Sequence, residues 1–146
     1  MRKQISTMFA MLMLVGLLAV TAKAQSVNGV SIRATIPFEF SVGDKLLPAG
    51  EYRIQQVNPS SDLAMLQIAN AHGDARVLVR VRLMGAPNSR RTALVFNRYG
   101  SSYFLSTMAI EGADAWQAPR SHAERGVGRE LAALKVDGER VAVLAR

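Results

Sequence analysis

RVLVRVRLM, residues Arg76–Met84, is the stretch that decides the fold. Val77, Val79, Val81 and Leu83 fall on one side of an extended chain, and Arg76, Arg80 and Arg82 fall on the other. A period of two marks a half-buried β-strand, because successive side chains leave the backbone on opposite faces. Just upstream, residues 63–69 form a second apolar extended run, and His72-Gly73-Asp74 supplies the turn between them. The pair is predicted to form a hairpin.

Working outward, VSIRATIPFEF (residues 30–40) repeats the pattern. Val30, Ile32, Ala34, Ile36, Phe38 and Phe40 share one face, while Ser31, Arg33, Thr35 and Glu39 take the other. Pro37 has no N–H to give a ladder, so this strand is expected at a sheet edge or bulged at that point. Gly43-Asp44 fits a two-residue hairpin turn. Leu47-Pro48-Ala49-Gly50 fits a type I turn leading into Tyr52 and Ile54, both expected inward. Residues 58–62 and 85–89 are rich in Asn, Pro, Ser and Gly and are expected as loops.

Residues 94–106, LVFNRYGSSYFLS, hold two apolar runs around Arg98-Tyr99-Gly100-Ser101-Ser102. They predict a hairpin with two open registers. One places Phe96 opposite Tyr103. The other places Arg98 opposite Tyr103, where the guanidinium can sit over the ring. After Trp116 the period changes. Ser121 with Glu124 three residues on has capping-box spacing. Ala123, Val127, Leu131 and Leu134 then form a stripe at helical spacing. Gly126 and Gly128 each cost about 1 kcal/mol relative to Ala in a helix, so a break or bend is expected near them. Asp137-Gly138 turns the chain into a last strand near 140–145. The fold expected is mainly β: a single-domain antiparallel β-sandwich or partly open β-barrel of about 7–8 strands, with one C-terminal α-helix.

The N-terminus carries an address. Arg2 and Lys3 precede the apolar run MFAMLMLVGLLAV (residues 8–20), and Ala22-Lys23-Ala24 places small residues before Gln25. This is the layout of a cleavable signal peptide over residues 1–24, leaving 25–146 as one domain. The apolar run is shorter than the ~20 residues a spanning helix requires, so no transmembrane segment is expected after cleavage. An outer-membrane barrel is disfavoured, because the strands are short and the aromatics do not form two girdles. There are no cysteines, which excludes disulfides and thiolate chemistry. A domain of this length without them suits a bacterial periplasm or secretion.

Of the 18 Lys and Arg, Arg2, Lys3 and Lys23 belong to the leader, so 15 face 11 acidic residues. Thirteen of those 15 are Arg, the side chain that grips carboxylates and phosphates with a two-pronged fork. Arg76, Arg80 and Arg82 share a face. With Arg90, Arg91 or Arg98 nearby they would form a cationic strip for an anionic envelope polymer. Nucleic acid is not an expected partner of an exported domain; another envelope protein remains open as one.

Catalytic signals are weak. His72 and His122 are the only histidines, too few for a tri- or tetradentate metal site without further ligands. No G-x-S-x-G elbow occurs, and Ser121 beside His122 is explained by helix capping. Glu39, Glu51, Asp62, Asp74, Glu111 and Asp114 are scattered over turns and polar faces. No cofactor is expected.

Three stretches together, IPFEFSVGDKLLPAGEY (36–52), LVFNRYGSSYFLS (94–106) and RSHAERGVGREL (120–131), resemble a family of small exported proteins from acidobacteria. The residues that carry the resemblance are Pro48, Gly50, Tyr52, Arg98, Tyr99, Gly100, Tyr103, Ser121 and Glu124. The two helix glycines depart from the family's more regular terminal helix. The resemblance implies a bacterial exported single domain and names no catalytic residue. The expected function is therefore an exported, soluble, non-catalytic binding or structural module of the bacterial envelope. The alternatives are a lipocalin-like carrier of a small apolar ligand and a small hydrolase or lyase using the scattered carboxylates.

Overall fold

The alternation of residues 31–36 becomes strand β1 (Ser31–Ile36), with Ile32, Ala34 and Ile36 buried and Ser31, Arg33 and Thr35 facing out. The computed structural model describes residues 29–58, 64–85 and 89–146. The expected leader and the middles of two expected loops, 59–62 and 86–88, lie outside the described residues. Beyond β1 follow β2 (Phe40–Val42), β3 (Lys45–Leu47), β4 (Gly50–Gln56), β5 (Ala64–Asn70) and β6 (Arg76–Met84). Then come β7 (Ala93–Tyr99), β8 (Ser102–Ala109), β9 (Ala115–Gln117), helix α1 (His122–Ala133) and β10 (Glu139–Leu144). Ten strands stand among the described residues, against the seven or eight expected. The excess is β2, β3 and β9, each of three residues, too short to show a period.

Pro37 falls in the gap between β1 and β2, so the extended run is cut where the missing N–H would have left a ladder position empty. The β2–β3 turn at Gly43-Asp44 is the expected two-residue hairpin, with Val42 opposite Lys45 and Gly43 at φ +57°. One antiparallel sheet runs β1-β4-β5-β6. The long strand β6 leaves it part-way: Arg76–Val81 pair with β5, and Arg82–Met84 pair with β9. Because its end has left β5, Leu83 is 54% exposed although alternation pointed it inward. From β9 the sheet passes to β8, which carries β7 on its other edge. The β7 strand pairs in turn with β10. A parallel contact of β2 with β8 at Ser41 and Phe104 makes the whole sheet mixed.

The path from β1 to β10 curls round without closing as a ladder. At the seam, Arg33 and Arg146 exchange two backbone hydrogen bonds of 2.7 and 2.9 Å. The result is a mainly β fold, an open barrel or sandwich with one helix. Its interior holds a cluster of buried apolar side chains. Leu66, Leu94, Phe96 and Met108 have no exposed surface, and Phe40 and Tyr52 are almost as deep. Each such burial stabilises by roughly 1.5–3 kcal/mol relative to exposure. Phe40 meets both Tyr52 and Phe96 edge-on, with ring centroids 5.1 and 5.4 Å away.

The helix departs from its predicted packing. It runs unbroken through Gly126 and Gly128, since glycine lowers helix propensity without removing a backbone hydrogen bond. The expected stripe is not its buried face: Ala123 is exposed, Val127 and Leu131 are half-buried, and Leu134 is 71% exposed. Glu124 is buried instead. Its carboxylate accepts a 2.8 Å bond from the amide of buried Asn97 on β7. A buried polar partner on the sheet therefore outranks hydropathy in choosing the face. Ser121 caps the helix by accepting from the Glu124 N–H, and Asp44 on the β2–β3 turn accepts from the His122 N–H. The Tyr99 ring lies against the turn that follows. A Cβ at Gly138 would sit 2.6 Å from Tyr99 Cε1, so a larger residue there would have to displace the Tyr99 ring, whose hydroxyl approaches Gly128.

Candidate functional site

Arg76, Arg80 and Arg82 project from the outer face of β6, as their alternation requires, and all three are exposed. Arg98 is elsewhere, on the β7–β8 hairpin. There the second of the two registers is the one formed, with Arg98 opposite Tyr103 and Tyr99 opposite Ser102. The turn itself is Gly100-Ser101, and the register shifts between Val95 and Phe96. The Arg98 guanidinium lies 5.5 Å from the Tyr103 ring centroid, donates to the Gly100 carbonyl at 2.9 Å and meets Glu139 at 3.2 Å. Tyr103 is stacked on Phe38, with centroids 3.9 Å apart. Arg98 is thus a local staple, and the structure removes it from the arginine strip.

In its place the register of β1, β4, β5 and β6 brings in arginines that the sequence had not grouped. Arg33 stands directly opposite Arg53. Arg53 stands opposite Ala69, and Ala69 opposite Arg76. At the other end Arg146 is bonded to Arg33 through both backbone groups, the hydrogen-bonded antiparallel geometry that puts two side chains on the same face. Arg146, Arg33, Arg53 and Arg76 therefore form one row across the strands, all exposed. The next rows along hold Gln55 beside Gln67, and Met65 beside Arg80.

Open grooves flank the row. One of about 750 Å³ is lined by Arg33, Thr35, Glu51, Leu144 and Arg146. Another of about 490 Å³ is lined by Arg33, Arg53, Gln55, Gln67, His72 and Arg76. On β1, β4, β5 and β6 there are five arginines (33, 53, 76, 80 and 82) and a single acid, Glu51. Among the described residues, the ion pairs are Arg98–Glu139 and Arg120–Glu124, and neither touches this face. Lys45 donates from its ammonium to the Arg76 carbonyl, which adds positive charge at that end of the row.

No family model, curated protein or solved structure matches this chain.

Glu39, Glu51, Asp74, Glu111 and Asp114 are all exposed, and Asp62 lies outside the described residues. Asp74 sits in the β5–β6 turn, where the Asn70 side-chain amide, two backbone N–H groups and nearby His72 hold its carboxyl below the usual range. That is a turn tied to itself, with Asn70 also accepting from the Gly73 N–H at 2.7 Å. Burial, with a smaller contribution from Asp74, pushes the Tyr52 phenol up, and its hydroxyl donates to the Pro48 carbonyl at 2.7 Å. Pro48, Gly50 and Tyr52 are thereby a structural clasp on the chain reversal into β4. Among the described residues no three His, Asp or Glu side chains converge on a common point, and no helix is long and apolar enough to cross a membrane.

Proposed function

We propose that this chain is an exported, non-catalytic module of a bacterial envelope, periplasmic or secreted, that binds an anionic envelope component through the outer face of β1, β4, β5 and β6. The observation that carries this reading is the concentration of exposed arginines on those four strands against one acidic side chain. Like charges directly opposite each other weaken a sheet, and an anionic ligand relieves that repulsion. The leader over residues 1–24 supports export, and the resemblance to acidobacterial exported proteins supports the bacterial setting. The interior filled by Leu66, Leu94, Phe96 and Met108 favours surface binding over carriage of an apolar ligand. Carboxylates dispersed over exposed turns favour it over hydrolysis.

The test is retention. The chain, expressed with its leader and recovered from the periplasm, is passed over anionic and neutral polysaccharide matrices at low salt. Binding to the anionic matrix alone, with elution by salt, is expected. Passage through both matrices, or a chain that stays in the cytoplasm with residues 1–24 attached, overturns the reading.

A further inference from the structure

Resting on that reading, we propose that the row Arg146–Arg33–Arg53–Arg76 is the binding site itself, and that it takes a linear anionic polysaccharide laid across the strands. Neighbouring strands lie about 4.8 Å apart, so the row, four strand intervals long, spans about 19 Å. A single small anion would reach one or two exposed guanidinium groups, and exposed ion pairs bind weakly one at a time. A chain of regularly spaced carboxylates or sulfates meets all four and sums their contacts. Ala69, the one small residue in the row, leaves a dip between Arg53 and Arg76. The flanking grooves, which share Arg33 and Glu51, give a polymer a continuous course past the row.

The surroundings select the kind of polymer. Beside the arginines stand Gln55, Gln67, Ser31 and Thr35, neutral donors and acceptors suited to sugar hydroxyls. The single aromatic residue of the four strands, Tyr52, is buried inward. The face therefore has no exposed ring on which a nucleobase can stack, the usual platform for single-stranded nucleic acid. The row also follows the convex outside of a curled sheet. A flat bilayer would touch only its crest, whereas a flexible chain follows the arc.

The experiment titrates the leader-processed chain with oligogalacturonates of increasing length, with oligothymidylate and phosphatidylglycerol vesicles as competing classes. Affinity for the oligosaccharide is expected to rise with length until it spans the row and then level off. Arg33→Gln, Arg53→Gln and Arg76→Gln should each weaken it about fivefold and flatten its salt dependence. Glu51→Gln should strengthen it, and Arg80→Gln with Arg82→Gln should weaken it less than any single row variant does. These side chains are exposed, so the variants are checked for unaltered melting and far-UV spectra. Equal losses from the Arg80/Arg82 variant overturn the row while leaving a diffuse anion-binding face. Tighter binding of oligothymidylate or vesicles overturns the polysaccharide. Failure to bind any anionic probe overturns this inference and the function it rests on.

Discussion

Arg98 and Arg33 are both arginines on β-strands, the first half-buried and the second exposed, and they have opposite surroundings. Arg98 is held by Glu139, the Gly100 carbonyl and the Tyr103 ring, so its charge is used up within the fold. Arg33 faces Arg53 on one side and Arg146 on the other, with no ion pair on that face among the described residues. One region spends its polar groups on holding strands and helix together. The other leaves them turned to solvent and mutually repelling. A charged side chain is best judged by what already compensates it.

The sharpest way to break the contrast is in the compensated region. Asn97→Leu removes the buried hydrogen-bond donor to Glu124 and leaves its buried carboxylate to the longer, 3.9 Å ion pair with Arg120. A loss of about 2–3 kcal/mol in urea unfolding is expected, with polyanion binding unchanged. Gly138→Ala drives a methyl into the Tyr99 ring. It should cost about 1–3 kcal/mol, and adding Tyr99→Ala should recover part of that loss, a coupling that a double-mutant cycle measures.

Arg98→Ala should lower stability by about 1 kcal/mol or less, because its ion pair is well exposed, and should leave retention on anionic polysaccharide intact. Arg33→Gln is its mirror image: melting within about 0.5 kcal/mol of the parent, and retention reduced. If both arginines moved stability alike, the contrast would collapse. The smallest effect is in the β5–β6 turn. Asn70→Ala should return the Asp74 carboxyl towards its ordinary range, visible by NMR titration. Because the folded-state value is depressed, the stability Asp74 contributes is present above its unfolded value and lost as pH falls through the folded one. In Asn70→Ala that acid-labile part should shrink.

Much of the fold is legible in the chain because a period of two states which face a side chain takes. Burial of Ile32, Ala34, Ile36, Val79 and Val81 follows from it directly. The turn at Gly43-Asp44 and the cap at Ser121 are equally local and equally readable. Register is not local. Nothing in VSIRAT or EYRI says that Arg33 will stand opposite Arg53, or that Arg76 will lie in the same row two strands on, so of the proposed row only Arg76 was singled out by the sequence. Hydropathy also misplaced the helix, because the partner of Glu124 is Asn97, 27 positions earlier in another element. The β9 strand, three residues around Trp116, is too short to announce itself, yet it joins the two parts of the sheet.

The seam between Arg33 and Arg146 has a kinetic meaning. It joins segments from opposite ends of the domain, and contacts of such long sequence separation form late, after the loop-closure entropy of everything between has been met. Until they form, the row lacks Arg146 and keeps three of its four strand intervals. On the proposed reading, full affinity for a long polyanion belongs to the finished domain, and an arrested chain should bind more weakly.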